Sequence, residues 1–187
     1  GWDIKASAKN ENEEFDLDAF AICLGADGKL LNGNVAESLL FFNSNKPQND
    51  NTKWIDETRP YPFILDGALK LSLDNRTGQG EGDDETITFE PAKVPAECHA
   101  IIFGANIFEA ASRRQNFGQV QNASCRIFDP ATPALGSELM RMDLSEDASM
   151  DTGYILGKVY RRDTEWKFEG IGTPVNGNVL EIANTYR

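Results

Sequence analysis

Apolar and polar positions along this chain mostly alternate with a period of two, and clusters of glycine, proline and asparagine interrupt the pattern. Trp2, Ile4 and Ala6 alternate with polar neighbours as in a half-buried strand. Residues 15–24 predict the next strand, with Asp16, Asp18, Phe20, Ile22 and Leu24 on one face. Residues 38–42 read as a buried strand running to Asn43, and 68–73 and 86–89 as two more. Residues 100–108 are continuously apolar, as a central buried strand would be, and 122–128 and 138–144 follow as strands. Residues 154–160 and 166–171 predict a closing hairpin around 162–164. Val179, Leu180, Ile182 and Ala183 are spaced for a short amphipathic C-terminal helix. Many short strands with few short helices argue for an all-β chain, a two-sheet antiparallel β-sandwich whose loops gather at its ends. No internal repeat or low-complexity linker divides residues 1–187, so a single domain is expected.

The connections differ in character. Residues 25–28 are a hairpin turn, whereas 44–62 form a long polar stretch with Pro47, Pro60, Pro62, Trp54 and Tyr61, expected as a surface loop. Residues 113–120 are basic with one aromatic, most simply an exposed loop whose arginines pair with the many acids. A strand this near the first residue predicts a partner strand upstream.

The loop entered at residue 74 carries the chemistry. Asp74, Asn75, Asp83, Asp84 and Glu85 crowd around Gly78, Gly80 and Gly82 between two predicted strands. Each carboxylate pair at about 4 Å costs roughly 1 kcal/mol in water and about 4 kcal/mol at an effective dielectric near 20. Glycines let the backbone turn carbonyls inward, which suits a hard cation collecting several oxygens. The same composition also describes an ordinary solvated turn. A phosphate cradle is disfavoured by the acids and by the missing P-loop lysine. An EF-hand fails as well. Glu85 is twelfth from Asp74, but Arg76, Gly78 and Gln79 occupy the third, fifth and sixth positions. Asp16 and Asp18 would sit about 6.6 Å apart along one strand face, an unfavourable pairing that a bound cation would explain and a frayed, exposed strand start would also allow.

Charge and cysteine usage narrow the function. With 18 Lys+Arg against 30 Asp+Glu, the net charge of −12 argues against nucleic-acid binding and against an anionic membrane surface. Cys23, Cys98 and Cys125 lie far apart in apolar contexts and read as buried thiols of a reducing compartment. No apolar run is long enough to span a membrane and no signal peptide opens the sequence, so a soluble cytoplasmic protein is expected. The single histidine, His99, follows Cys98, but neighbours on a strand face opposite ways and do not make a nucleophile pair. Paired carboxylates leave a calcium-dependent hydrolase open; no catalysis is the favoured expectation.

Taken in order, the segments 1–3, 15–19, 41–43, 74–85, 113–123, 143–148 and 165–168 resemble the TerD family of tellurium-resistance and stress-response proteins across nearly the whole chain. The resemblance implies a two-sheet β-sandwich that binds calcium at acidic loops near one end. It implies a cytoplasmic role in resistance to tellurite and related stresses, beside other tellurium-resistance proteins of which some are membrane-embedded, and no established catalysis. Carried over residue by residue, Asp16, Asp18, Asn43, Asp74, Asn75, Asp83, Asp84 and Glu85 match its acidic motifs, with backbone carbonyls near Gly80 and Gly82 completing the shell. Two clustered Ca2+ ions suit that supply of oxygens better than one. Two departures stand out: the family's strand pair ahead of Gly1, Trp2 and Asp3 is missing, and residues 44–67 read as a long insertion. The alternatives are a calcium-dependent hydrolase and an interaction scaffold with purely structural calcium.

Overall fold

Two strands are apolar on both faces but for Asp18 and Asn106 at one end, Leu17–Leu24 and Ala100–Ile107, and such strands need cover above and below. In the computed structural model, which describes residues 3–4, 15–47, 50–76, 83–129, 131, 138–144 and 150–187, they lie side by side at the centre of the largest sheet. In chain order the elements are β1 (Asp3–Ile4), β2 (Leu17–Leu24), α1 (Val35–Ser38), β3 (Leu39–Leu40), β4 (Phe63–Ile64), β5 (Leu69–Leu71), β6 (Ile87–Phe89) and β7 (Ala100–Ile107). They continue with α2 (Ala110–Arg113), β8 (Val120–Gln121), β9 (Ser124–Phe128), β10 (Glu138–Asp143), β11 (Gly153–Arg162), β12 (Glu165–Val175) and α3 (Val179–Asn184).

The five-stranded sheet has the order β12-β11-β7-β2-β3, antiparallel at every pairing. β2 and β7 pair unbroken from Leu17↔Ile107 to Leu24↔Ala100. Ala21, Cys23 and Ile101 face the second layer, where they meet Leu69 and Leu71 of β5. That layer consists of the three-stranded sheet β4-β5-β6 and the pair β9-β10. On the opposite face Phe20, Ile22 and Ile102 pack against Val179, Ile182 and Ala183 of α3. The helix starts where the sequence places it because Asn178 and Glu181 cap each other, at 3.0 and 2.8 Å. Phe20 fits over Gly104, where a Cβ would lie 2.5 Å from its ring. The antiparallel sandwich expected from the alternation is the observed architecture.

Two segments depart from expectation, each for a local reason. The strand expected over 38–42 is only Leu39–Leu40. Ser38 closes the α1 turn by donating its hydroxyl to the Leu31 and Asn34 carbonyls, and the Ser44 hydroxyl accepts the Phe41 N–H and donates to the Leu39 carbonyl, drawing the chain off the sheet. β3 therefore pairs only with Ala21 and Ile22, leaving the first half of β2 open on that edge. The basic stretch 113–120 is not a simple exposed loop. It contains the end of α2 and a 3₁₀ turn over Phe117–Gln119, with Gln115 and Phe117 buried. Phe117 joins Phe15 and Val120 in the core, which pulls the segment inward.

Among the described residues between 44 and β4 the chain makes turns, held by Arg59, which bonds Asp56 at 2.6 Å and Asp66 at 2.9 Å and lies over the Phe63 ring. Between β6 and β9 the second layer parts, leaving an apolar cavity of about 310 Å³ against Leu17, Ala19 and Phe103. No helix among the described residues is long and apolar enough to cross a membrane.

Candidate metal centre

The start of β2, the end of β7, the chain leaving β3 and the mouth of the β5–β6 connection meet at one end of the sandwich. Asp16 precedes β2 and Asp18 lies on it, two positions apart and so on one side of the strand. Asn106 of β7 stands opposite Asp18 in the register. Because β3 is antiparallel to β2, the chain beyond it runs back towards the β2 start and brings Asn43 there. Asp74 follows β5 and Glu85 precedes β6, so both arrive from the second layer. One carboxylate oxygen from each of Asp16, Asp18 and Asp74 lies within 4.8 Å of the others.

The inner part of this cluster is dry. Asp16 is 4%, Asp18 2% and Asn106 3% exposed, which overturns the alternative of a frayed, exposed strand start. Asp16 Oδ1, Asp18 Oδ2, Asn43 Oδ1 and Asn106 Oδ1 are buried without a hydrogen-bond partner among the described residues. Each such atom costs about 1–3 kcal/mol, more when charged. Burial first, then the Asp74 charge, pushes the Asp16 carboxyl up to about 6. Burial and the charges of Glu85, Asp16 and Asp74 push Asp18 up to about 9. Arg76 offers Asp16 one contact at 3.7 Å from its own exposed position, and the Arg113 charge also acts on Asp16 and Asp18, yet both carboxyls stay raised. The chain thus buries several acceptors and supplies little positive charge to meet them.

Glu85 joins the cluster from the second layer. Its Oε2 accepts the Ala19 N–H at 2.8 Å, the donor that the short β3 leaves open, and its Oε1 accepts the Asn75 N–H at 3.4 Å. Burial nevertheless dominates, and its carboxyl rises to about 8. Asn75 Nδ2 donates to Asp84 Oδ1 at 3.0 Å, which places that pair beside Glu85. Asp83 goes elsewhere. Arg126 of β9 grips it with two bonds, at 2.8 and 2.6 Å, and holds its carboxyl below the usual range. Gly80 and Gly82 lie outside the described residues. Asn106 is the member that the sequence reading missed; its signal was a lone amide within an otherwise apolar run.

The donor set is carboxylate and amide oxygen throughout, without nitrogen or sulfur, which suits a hard cation that takes many oxygens in loose geometry. The orphaned atoms of Asp16, Asp18, Asn43 and Asn106 are where such an ion would find its ligands.

Fold and site together define a two-layer antiparallel β-protein with an acidic, oxygen-lined cluster, able to hold a metal ion, at the open edge of its central sheet. The chain belongs to the TerD family: the TerD domain model matches residues 1–186. It is 34% identical over 186 residues to tellurium resistance protein TerD of Serratia marcescens, covering 100% of this chain and 83% of that protein. It is 37% identical over 186 residues to general stress protein 16U of Bacillus subtilis (strain 168), with the same coverage of 100% and 83%. The crystal structure of a homologue of telluride resistance protein (TerD) from Streptomyces coelicolor A3(2) superposes with a TM-score of 0.71 at 20% identity, covering 97% of this chain and 90% of that one.

Proposed function

We propose that this protein is a non-catalytic calcium-binding β-sandwich that serves tellurite resistance and the general stress response in the cytoplasm, in an assembly with other tellurium-resistance proteins. The observation that carries the reading is the set of buried, unpartnered oxygens on Asp16, Asp18, Asn43 and Asn106. Bound calcium would supply the positive charge that this cluster lacks, with Asp74 and Glu85 closing it from the second layer. Relatives named for tellurium resistance and general stress support the cellular role.

Several features favour binding over catalysis. Both Glu85 oxygens already accept backbone N–H groups, which leaves Glu85 poorly placed to act as a base. His99 is exposed while Cys98 faces the core, so these neighbours do not form a nucleophile pair. The expectation of two ions rested partly on Gly80 and Gly82; the described residues gather around one cradle.

Thermal melting with calcium and with chelator tests the reading. Ligand at a hundred times its dissociation constant stabilises by about 2.7 kcal/mol. Identical melting in the two conditions would overturn calcium binding. Cells carrying the chain with Asp16→Asn and Asp18→Asn should lose tellurite tolerance, and retained tolerance would separate the role from the cluster.

A further inference from the structure

Cys23 and Cys98 are remote in sequence, but the fold brings them together. Cys23 lies on β2 and Cys98 just ahead of β7, both fully buried in the same core cluster. Their thiols are close enough to perturb one another, and the Cys98 thiol donates to the Ala100 carbonyl at 3.6 Å. The expectation of buried thiols holds at these two positions, and the fold adds a contact that their distance in sequence does not suggest.

Arg161 of β11 organises the turn that carries Cys98. Its guanidinium donates to the carbonyls of Val94 at 2.7 Å, Pro95 at 3.2 Å and Cys98 at 3.0 Å, and stacks over the Trp166 ring. The pair is therefore asymmetric. The Cys23 contact first, then the Arg161 charge among smaller causes, holds the Cys98 thiol below its ordinary value. The same contact, with burial, raises the Cys23 thiol. Cover is thin on the Cys98 side, where Ala96, Glu97 and His99 are all exposed. Such a turn opens locally far more readily than the central strands.

We infer that Cys23 and Cys98 form an oxidative modification site, a dithiol that hydrogen peroxide converts to an intramolecular disulfide tying the end of β2 to the turn before β7. The Cys98 thiolate attacks one peroxide oxygen, so that an S–O bond forms as the O–O bond breaks, and the departing hydroxide is protonated to water. The Cys23 sulfur then attacks the Cys98 sulfenic acid. The S–S bond forms, the S–O bond breaks, and the leaving hydroxide takes the Cys23 proton as a second water. The thiols lose two electrons and the peroxide gains them.

Titrating the reduced full chain with hydrogen peroxide, followed by intact mass and peptide mapping, tests the site. The expected product has lost two hydrogens and carries a Cys23–Cys98 crosslink. Cys125, on β9 in a different cluster and pushed up to about 11 by burial, should remain a thiol. Oxygen added at Cys98 without a crosslink, a bridge to Cys125, or no reaction at peroxide levels that oxidise the denatured chain would each overturn the site. Cys23→Ser should leave a Cys98 sulfenic acid that dimedone traps, and Cys98→Ser should leave Cys23 unmodified; the reverse pattern would overturn the assignment of the attacking thiol. Should either variant fail to fold, the wild-type map alone decides the site.

Discussion

Asp18 and Asn106 stand opposite one another across the β2–β7 pairing, and each holds a buried oxygen that no described residue satisfies. Asn106 thereby belongs to the same oxygen-lined cluster as Asp16 and Asp18, and under the proposed function it is a calcium ligand. Asn106→Ala should weaken calcium binding by about 10-fold, the lower end of what losing a ligand's support costs. Calorimetric titration checks it, and unchanged affinity would remove Asn106 from the cradle.

Replacing the two inner acids should reverse the order of stabilities. Asp16→Asn with Asp18→Asn removes two buried carboxyls that each hold an unpartnered oxygen, so in chelator the variant should melt a few degrees above the parent, roughly 2–4 °C per kcal/mol for a chain of this size. With calcium present the parent should melt higher. Melting curves that never cross would contradict the assignment.

Metal-free stability should fall as pH rises. Asp16, Glu85 and Asp18 are raised to about 6, about 8 and about 9, all above their unfolded values. The folded chain therefore keeps protons that the unfolded chain has released. Its stability is fully present below the ordinary carboxylate range and is lost as pH climbs through these three values. Urea melts in chelator between pH 5 and pH 9, the window set by those shifts, should show a steady decline. Calcium should flatten the slope, and its affinity should drop towards the acid end, where protons compete. A chelated protein that gains stability across this window would rule the effect out.

Asp83 should behave differently from its neighbours in the acidic loop. Its two bonds to Arg126 close the rim of the cavity between β6 and β9. Asp83→Asn should cost about 1 kcal/mol of stability, as a partly exposed ion pair does, and leave the calcium-dependent melting shift in place. Loss of that shift would return Asp83 to the ligand set.

Legibility from sequence followed the range of the forces involved. Local alternation placed β2, β10 and the closing hairpin, because a two-residue period is a property of the strand itself, and a continuous apolar run placed β7. The helical spacing of Val179, Leu180, Ile182 and Ala183 placed α3 for the same reason, and the Asn178–Glu181 caps fix where it starts. β3 was overestimated because apolar content does not register the Ser38 and Ser44 hydroxyls that withdraw the chain from the sheet. In the cluster, Asp16 and Asp18 stood out as charges on an apolar face. Asn106 showed in the sequence as no more than a lone amide in an apolar run until the β2–β7 register set it opposite Asp18, and the diversion of Asp83 depends on Arg126, which is remote in sequence. The Cys23–Cys98 contact was hidden likewise, since it depends on a turn held by Arg161.

The brevity of β3 has a consequence for how the molecule meets its own copies. A strand edge with free N–H and C=O groups is a template for pairing with another chain. At the start of β2 that edge is occupied by a side chain, the Glu85 carboxylate on the Ala19 N–H. Whatever draws Glu85 away also uncovers a place where a second molecule can add a strand, so the acidic end doubles as a guard against self-association.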